Sequence, residues 1–167
     1  LVSMGGSSLC PEVFKLLFGR RTGVKSIDIL DSTDPAAVLS VAKKLDLQKT
    51  LFIVASKSGG TIETRSHEAF FTERLKASGV SEIGRHFCAI TDPGSDLEKS
   101  ARENRYRQVF TNPADIGGRY SALSFFGLVS PAINRWAILP PQGDATGTPP
   151  RFGVNILGTA VSSADMD

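Results

Sequence analysis

The stretch ASKSGGTIET, residues 55–64, sets four hydroxyls, Ser56, Ser58, Thr61 and Thr64, beside Lys57 and the glycine pair Gly59 and Gly60. Each hydroxyl is a rotatable donor, and paired glycines let the backbone turn tightly and approach a ligand. Helical spacing follows, so the first turn of a helix adds exposed backbone amides and the positive end of its dipole. Together these groups suit a phosphate dianion. Thr61 and Thr64, three apart, fall on one side of that turn, where both can face one pocket. The plainer reading makes Thr61 an N-cap with Glu63 and Glu68 as dipole partners, but capping needs one hydroxyl rather than four. The patterns GxxxxGK[ST] and GxGxxG are absent. Their absence argues against nucleoside triphosphates and dinucleotides and leaves a monophosphorylated metabolite.

Two further stretches have ligand-facing chemistry. In MGGSSL, residues 4–9, Gly5 and Gly6 permit close backbone approach, and Ser7 or Ser8 can cap the next helix or donate to a ligand. In DIGGRYSALSFFGL, residues 115–128, a glycine pair ending at Gly118 puts Arg119 at the mouth of a helix whose apolar residues are Leu123, Phe126 and Leu128. A guanidinium held there suits an oxyanion. An ion pair with Asp115 is the alternative.

The elements that must position these loops alternate regularly. Residues 7–19 (SSLCPEVFKLLFG) predict a helix, with Leu9, Val13, Leu16 and Leu17 at helical spacing, Pro11 in a first turn and Gly19 as a stop. SIDIL (26–30) predicts a strand, and residues 31–45 a helix with caps, an early proline and Val38, Val41, Ala42 and Leu45 at helical spacing. TLFIVAS, HFCAIT and YRQVF read as strands, and helices are expected over residues 61–79, with Phe70, Phe71 and Leu75 on one side, and over 94–104. Continuous apolar strands between amphipathic helices mean a mainly parallel sheet covered on both faces, an α/β doubly wound fold. In such a sheet the ligand crevice lies beyond the carboxyl ends of the strands, where the three loops fall. The two-residue run LV before SMGGSS is short for a strand, so the first strand reads as truncated. Residues 1–133 therefore form the expected domain. Residues 134–167, with two proline pairs and no sustained period, predict an irregular tail.

With 167 residues, 41% hydrophobic and 22% charged, the chain is long enough for one domain with a real core. A net charge of +2 gives no nucleic-acid footprint, and no apolar run has the roughly 18–20 residues that span a bilayer. A small-molecule partner in the cytoplasm is expected, without nucleic acid or membrane. Cys10 and Cys88 read as free thiols, and His67 and His86 lack metal-ligand spacing, so no metal is expected.

The three stretches MGGSSL, SKSGGTIET and DIGGRYSALSFFGL, in this order and spacing, resemble glucose-6-phosphate isomerases. The resemblance covers about residues 2–132, and with DSTDP (31–35) it is closer still to the isomerase half of bacterial transaldolase/phosphoglucose isomerase fusions. It implies the sugar-isomerase (SIS) fold, flavodoxin-like, with a parallel five-stranded sheet. Ser56, Ser58, Thr61 and Thr64 match the family's phosphate-binding hydroxyls, with Lys57 between them acting mainly through its backbone. Gly6 and Ser7 match the glycine-serine lining the sugar site. Gly118 and Arg119 match the Gly-Arg that stabilises the enediolate. The family interconverts glucose 6-phosphate and fructose 6-phosphate without metal or organic cofactor, as homodimers. Its general base and ring-opening groups, a glutamate, a histidine and a lysine, come from beyond the arginine loop.

No glutamate follows Glu103, and the tail departs from the family pattern. Glu63 at a helix start serves the dipole better than a proton transfer, and His67 does not match the ring-opening histidine. The chain thus reads as an isomerase domain incomplete at both ends, inactive by itself. The alternative is a sugar-phosphate-sensing SIS module that regulates a partner. An amidotransferase or other aldose-ketose isomerase of this fold would share the phosphate loop but leave GGRYSALS unexplained.

Overall fold

The computed structural model describes residues 1–18 and 27–133. Gly19, the start of SIDIL and the whole expected tail lie outside these residues. Four parallel strands, β1 (Val2–Ser3), β2 (Phe52–Ala55), β3 (Phe87–Thr91) and β4 (Gln108–Thr111), form one sheet in the order β1-β2-β3-β4. Helices α1 (Gly6–Phe18), α2 (Pro35–Lys44), α3 (Ile62–Ala77), α4 (Asp96–Glu103) and α5 (Phe125–Ile133) connect and flank them.

The sheet has four strands where five were expected. Among the described residues of SIDIL, Leu30 is the one in a β-bridge, parallel to Val2, with Ser3 N donating to Leu30 O at 3.3 Å and Leu30 N to Leu1 O at 2.9 Å. The reason is local: β1 is two residues long and offers an edge neighbour little backbone to pair with. Even so, the bridge fixes where the chain goes. It leaves β1 for the Leu30 edge and returns on the other side of β1 as β2, so the strand order reverses between β1 and β2.

Each face of the sheet has its own core. Val2, Phe52, Val54, Phe87 and Ala89 pack with Val38 and Ala42 of α2, Phe71 and Leu75 of α3, and Leu97 and Ala101 of α4. Ile53, Ala55, Cys88, Ile90 and Phe110 face Phe126 and Val129 of α5. The alternation along β2 and β3 follows from the two-residue period of a strand, and burial of both faces explains why these strands are apolar throughout. Aromatic rings tie strand to helix: Phe52 lies 4.6 Å from Phe71 and 5.2 Å from Phe87, centroid to centroid. The carboxylate of Glu68, also on the buried side of α3, is held by Arg65 at 2.8 Å and by the Tyr106 hydroxyl.

Two helices differ from the pattern read in the sequence. In α1 the helix starts at Gly6, so Pro11 sits in the second turn, and it is Pro11 and Ser8 that are buried while Leu9, Val13 and Leu16 are exposed at 61%, 40% and 77%. The helical spacing was genuine, but α1 turns its other side to α5. The segment after the glycine pair forms a 3-10 turn (Gly118–Leu123), and α5 begins only at Phe125. At this break the Oδ1 of buried Asn112 accepts from the Phe125 amide at 3.2 Å and Ser124 Oγ from the Phe126 amide at 3.3 Å, so both serve the first amides of α5. Leu123 consequently lies outside the helix and is exposed, whereas Phe126 is buried.

Two outcomes follow for stability. Phe71→Ala removes a ring shared by β2 and α3 and is expected to cost about 3–5 kcal/mol in a denaturant melt. Burial pushes the Cys88 thiol up to about 11 from 9.0. The unfolded thiol ionises first as pH rises, so this stabilisation is complete below pH 9 and is lost between pH 9 and 11. Melts across that interval should show a steeper loss for the wild-type chain than for Cys88→Ala.

Candidate functional site

A crevice of ≈ 380 Å³ opens where the strand order reverses, lined by Met4 and Ser7 after β1, by Ala55, Ser56, Lys57, Ser58, Thr61 and Thr64 after β2, and by Asp92 after β3. Loops at the carboxyl ends of parallel strands converge at such a reversal because the crossovers leave in opposite directions. All four hydroxyls of the 55–64 stretch line it.

Their hydrogen bonds show which of these hydroxyls act as caps. Thr61 occupies the N-cap position of α3, yet its side chain makes no cap bond. Its hydroxyl pairs instead with Ser56 Oγ at 3.0 Å. The amides of Ile62, Glu63 and Thr64, which have no partner within the helix, are therefore left without the side chain that usually serves them. Thr64 is fully buried and its Oγ1 has no hydrogen-bond partner among the described residues. A buried hydroxyl in that state costs on the order of 1–3 kcal/mol, and a ligand oxygen would relieve it. Ser58 Oγ accepts from Gly60 N at 3.3 Å and shapes the turn between the hydroxyls.

That turn requires Gly59. Its φ is +72°, and a Cβ there would stand 2.8 Å from the Leu97 amide nitrogen and the Ser95 Cβ. The backbone of the 55–64 loop thus lies directly against the start of α4. After β1, Gly5 at φ +63° turns the chain, and Ser8 bonds back to the Gly5 carbonyl through Oγ at 2.8 Å. Ser8 is thereby committed to the turn, and Ser7 is the serine that faces the crevice. Gly6 does not line the crevice. It touches the arginine loop: a Cβ on it would stand 3.1 Å from the Gly118 carbonyl oxygen and 3.9 Å from the Arg119 nitrogen.

Arg119 itself is exposed, lies outside the crevice lining and forms no ion pair, with Asp115 or any other carboxylate, among the described residues. Its backbone follows Gly118, the neighbour of Gly6, while its side chain has no ion-pair partner among the described residues.

Lys57 combines backbone and side-chain contacts. Its carbonyl accepts from Asp92 N at 3.1 Å and from Thr91 Oγ1 at 3.3 Å. Its ammonium forms an ion pair with Asp92 Oδ2 and donates to the Ala114 carbonyl at 3.1 Å. Asp92 and Met4 are lining residues that the sequence reading missed. For Asp92 a signal existed: TDP follows an apolar strand, the position from which a side chain reaches the crevice of a parallel sheet.

Neither alternative acid-base group lines the crevice: Glu63 is half-buried in the first turn of α3, and His67 is buried one turn later with its pKa lowered by desolvation. Among the described residues no three His, Cys, Asp or Glu side chains converge as a metal-ligand set. No helix among them is long and apolar enough to cross a membrane.

A family model for phosphoglucose isomerase matches residues 1–135. The chain belongs to the phosphoglucose isomerase family. A glucose-6-phosphate isomerase of Thermus thermophilus is 36% identical over 129 residues, which are 77% of this chain and 31% of the relative. A glucose-6-phosphate isomerase of Campylobacter jejuni is 35% identical over 130 residues, 77% of this chain and 32% of the relative. Among solved structures, a hypothetical protein of Thermus thermophilus superposes with a TM-score of 0.72 at 33% identity, over 83% of this chain and 36% of that one. A glucose-6-phosphate isomerase of Chlamydia trachomatis gives a TM-score of 0.64 at 35% identity, over 77% of this chain and 24% of that one. The chain spans about a third or less of the length of these relatives.

The geometry makes Gly59 the most sensitive backbone position of the loop. Gly59→Ala should destabilise the chain by about 1–3 kcal/mol, read as a shift of the denaturation midpoint, because neither the positive φ nor the contact with α4 admits a side chain.

Proposed function

We propose that this chain supplies the phosphate-binding domain of a glucose-6-phosphate isomerase, an aldose-ketose isomerase acting on glucose 6-phosphate and fructose 6-phosphate. The observation that carries the proposal is the N-terminus of α3, where Thr61 caps nothing, Thr64 has no partner and Ser56 and Ser58 complete a ring of hydroxyls around free amides. Such a cluster replaces the water lost by a phosphate dianion without requiring a neighbouring cation. In this reading Ser56, Ser58, Thr61, Thr64 and the Lys57 amide hold the phosphate, Gly6 and Ser7 border the sugar, and Gly118 and Arg119 meet the negative charge of the enediolate.

The proton transfer between C2 and C1 needs a general base within hydrogen-bond reach. The one carboxylate lining the crevice, Asp92, is paired with Lys57, and no glutamate follows Glu103. The chain as it stands therefore binds without turning over, and neither a metal nor an organic cofactor has a role in the proposed chemistry. A cytoplasmic setting, with the parent protein a homodimer or a transaldolase fusion, belongs to the same proposal; it rests on the family resemblance and on the DSTDP segment.

A second reading, a sugar-phosphate sensor that regulates a partner, draws on one specific observation: the Arg119 guanidinium stands outside the crevice. Calorimetric titration with 6-phosphogluconate and with inorganic phosphate separates the two. Both readings expect Ser56→Ala and Thr61→Val each to weaken inorganic phosphate by about tenfold, the worth of one charge-assisted hydrogen bond. The isomerase reading further expects Arg119→Ala to weaken 6-phosphogluconate, which carries a carboxylate at C1, by about tenfold while leaving inorganic phosphate within about twofold. Equal, small effects on both ligands would favour the sensor. In a coupled isomerase assay the chain should give background rates, and robust turnover would overthrow the account of the missing base.

A further inference from the structure

We infer that the Lys57 side chain is a positioning strut that holds the arginine-bearing loop over the phosphate crevice, and not a phosphate ligand. The inference deepens the proposed function and rests on it for the role of Arg119. Three strand-end loops meet at this one ammonium. It leaves the loop after β2, pairs with Asp92 after β3 and donates to the Ala114 carbonyl in the segment after β4 that runs into Gly118 and Arg119. The pairing is double-sided, since the Lys57 carbonyl accepts from the amide of Asp92 and from the hydroxyl of Thr91. The side chains of Lys57 and Asp92 are 30% and 20% exposed, so the pair is partly withdrawn from water and less screened than a surface pair.

A cation in a phosphate site is ordinarily read as a ligand for the phosphate charge. Here the charge of Lys57 is matched by Asp92, and a second of its three N–H donors goes to the Ala114 carbonyl. What the ammonium supplies is a fixed distance between loops. At the other end of the same segment Gly6 leaves no spare room: a Cβ on it would stand 3.1 Å from the Gly118 carbonyl oxygen. Residues 114–118 are thus tied to Lys57 at one end and closely neighboured by Gly6 at the other, which bounds where the Arg119 backbone emerges. Chemistry of this kind favours a ligand with two anionic or polar ends, a phosphate in the hydroxyl ring and an oxyanion toward Arg119.

The test uses the full chain with Lys57→Met, which keeps the aliphatic stem and removes the ammonium, and Lys57→Arg, which keeps a cation able to reach both oxygens. Without ligand, amide exchange across residues 114–119 should accelerate about fivefold or more in Lys57→Met and stay within about twofold of wild type in Lys57→Arg. Unchanged exchange in Lys57→Met overturns the strut, whether or not the crevice binds phosphate. With ligands, Lys57→Met should leave the affinity for inorganic phosphate within about threefold, while shrinking the Arg119→Ala effect on 6-phosphogluconate from about tenfold to less than about twofold. A drop of about tenfold or more in phosphate affinity, additive with Arg119→Ala, makes Lys57 a direct ligand and overturns the inference while leaving the phosphate site standing. If inorganic phosphate binds in no variant, or binds without regard to Ser56→Ala and Thr61→Val, the proposed function falls, and the exchange data still decide the strut.

Discussion

Parallel strands cannot be joined by a tight turn, so every neighbour in this sheet is reached through a crossover that delivers its next loop to the same end. Because the chain runs from β1 to the Leu30 edge and then returns as β2, the crossovers leave the β1–β2 boundary in opposite directions and open a crevice that no helix fills. The hydroxyl ring, the Ser7 turn and Asp92 sit at that gap because of the strand order. The two apolar cores below it, one on each face, make the strand ends rigid enough to aim side chains.

Charge is balanced within the crevice lining. Lys57 and Asp92 cancel, and Arg119 is exposed outside the lining. A dianion entering the crevice would meet neutral donors, the amides of the first turn of α3 and the hydroxyls of Ser56, Ser58, Thr61 and Thr64. Neutral donors fixed in place lose less to desolvation than a buried ammonium would, and they do not need to reorganise when the ligand arrives. Under the proposed isomerase function the arginine would remain available for the other end of the ligand, where an enediolate reaction develops charge.

Much of this was legible in the residues. Apolar strand runs and helical spacing identified β2, β3, α2, α3 and α4, and the clustering of Ser56, Ser58, Thr61 and Thr64 in sequence carried over to one crevice. The partner of each hydroxyl was not legible, since which of two neighbouring groups Thr61 bonds is a side-chain choice that sequence does not fix. The Lys57–Asp92 pair joins residues 35 positions apart and depends on the register of β2 against β3. The bond from the Phe125 amide to Asn112, 13 positions away, likewise joins the two ends of the arginine loop. The exposure of Leu9, Val13 and Leu16 shows the limit of periodicity: spacing locates a stripe on a helix, and the surroundings determine which side is covered.

The near contact between Gly6 and the carbonyl of Gly118 couples two turns that belong to distant parts of the chain. A side chain at position 6 would require the second turn to yield by a few tenths of an ångström, together with the backbone that leads into Arg119. For anyone reshaping the crevice, these two turns form one mechanical unit: a bulkier residue in the first calls for a rebuilt second.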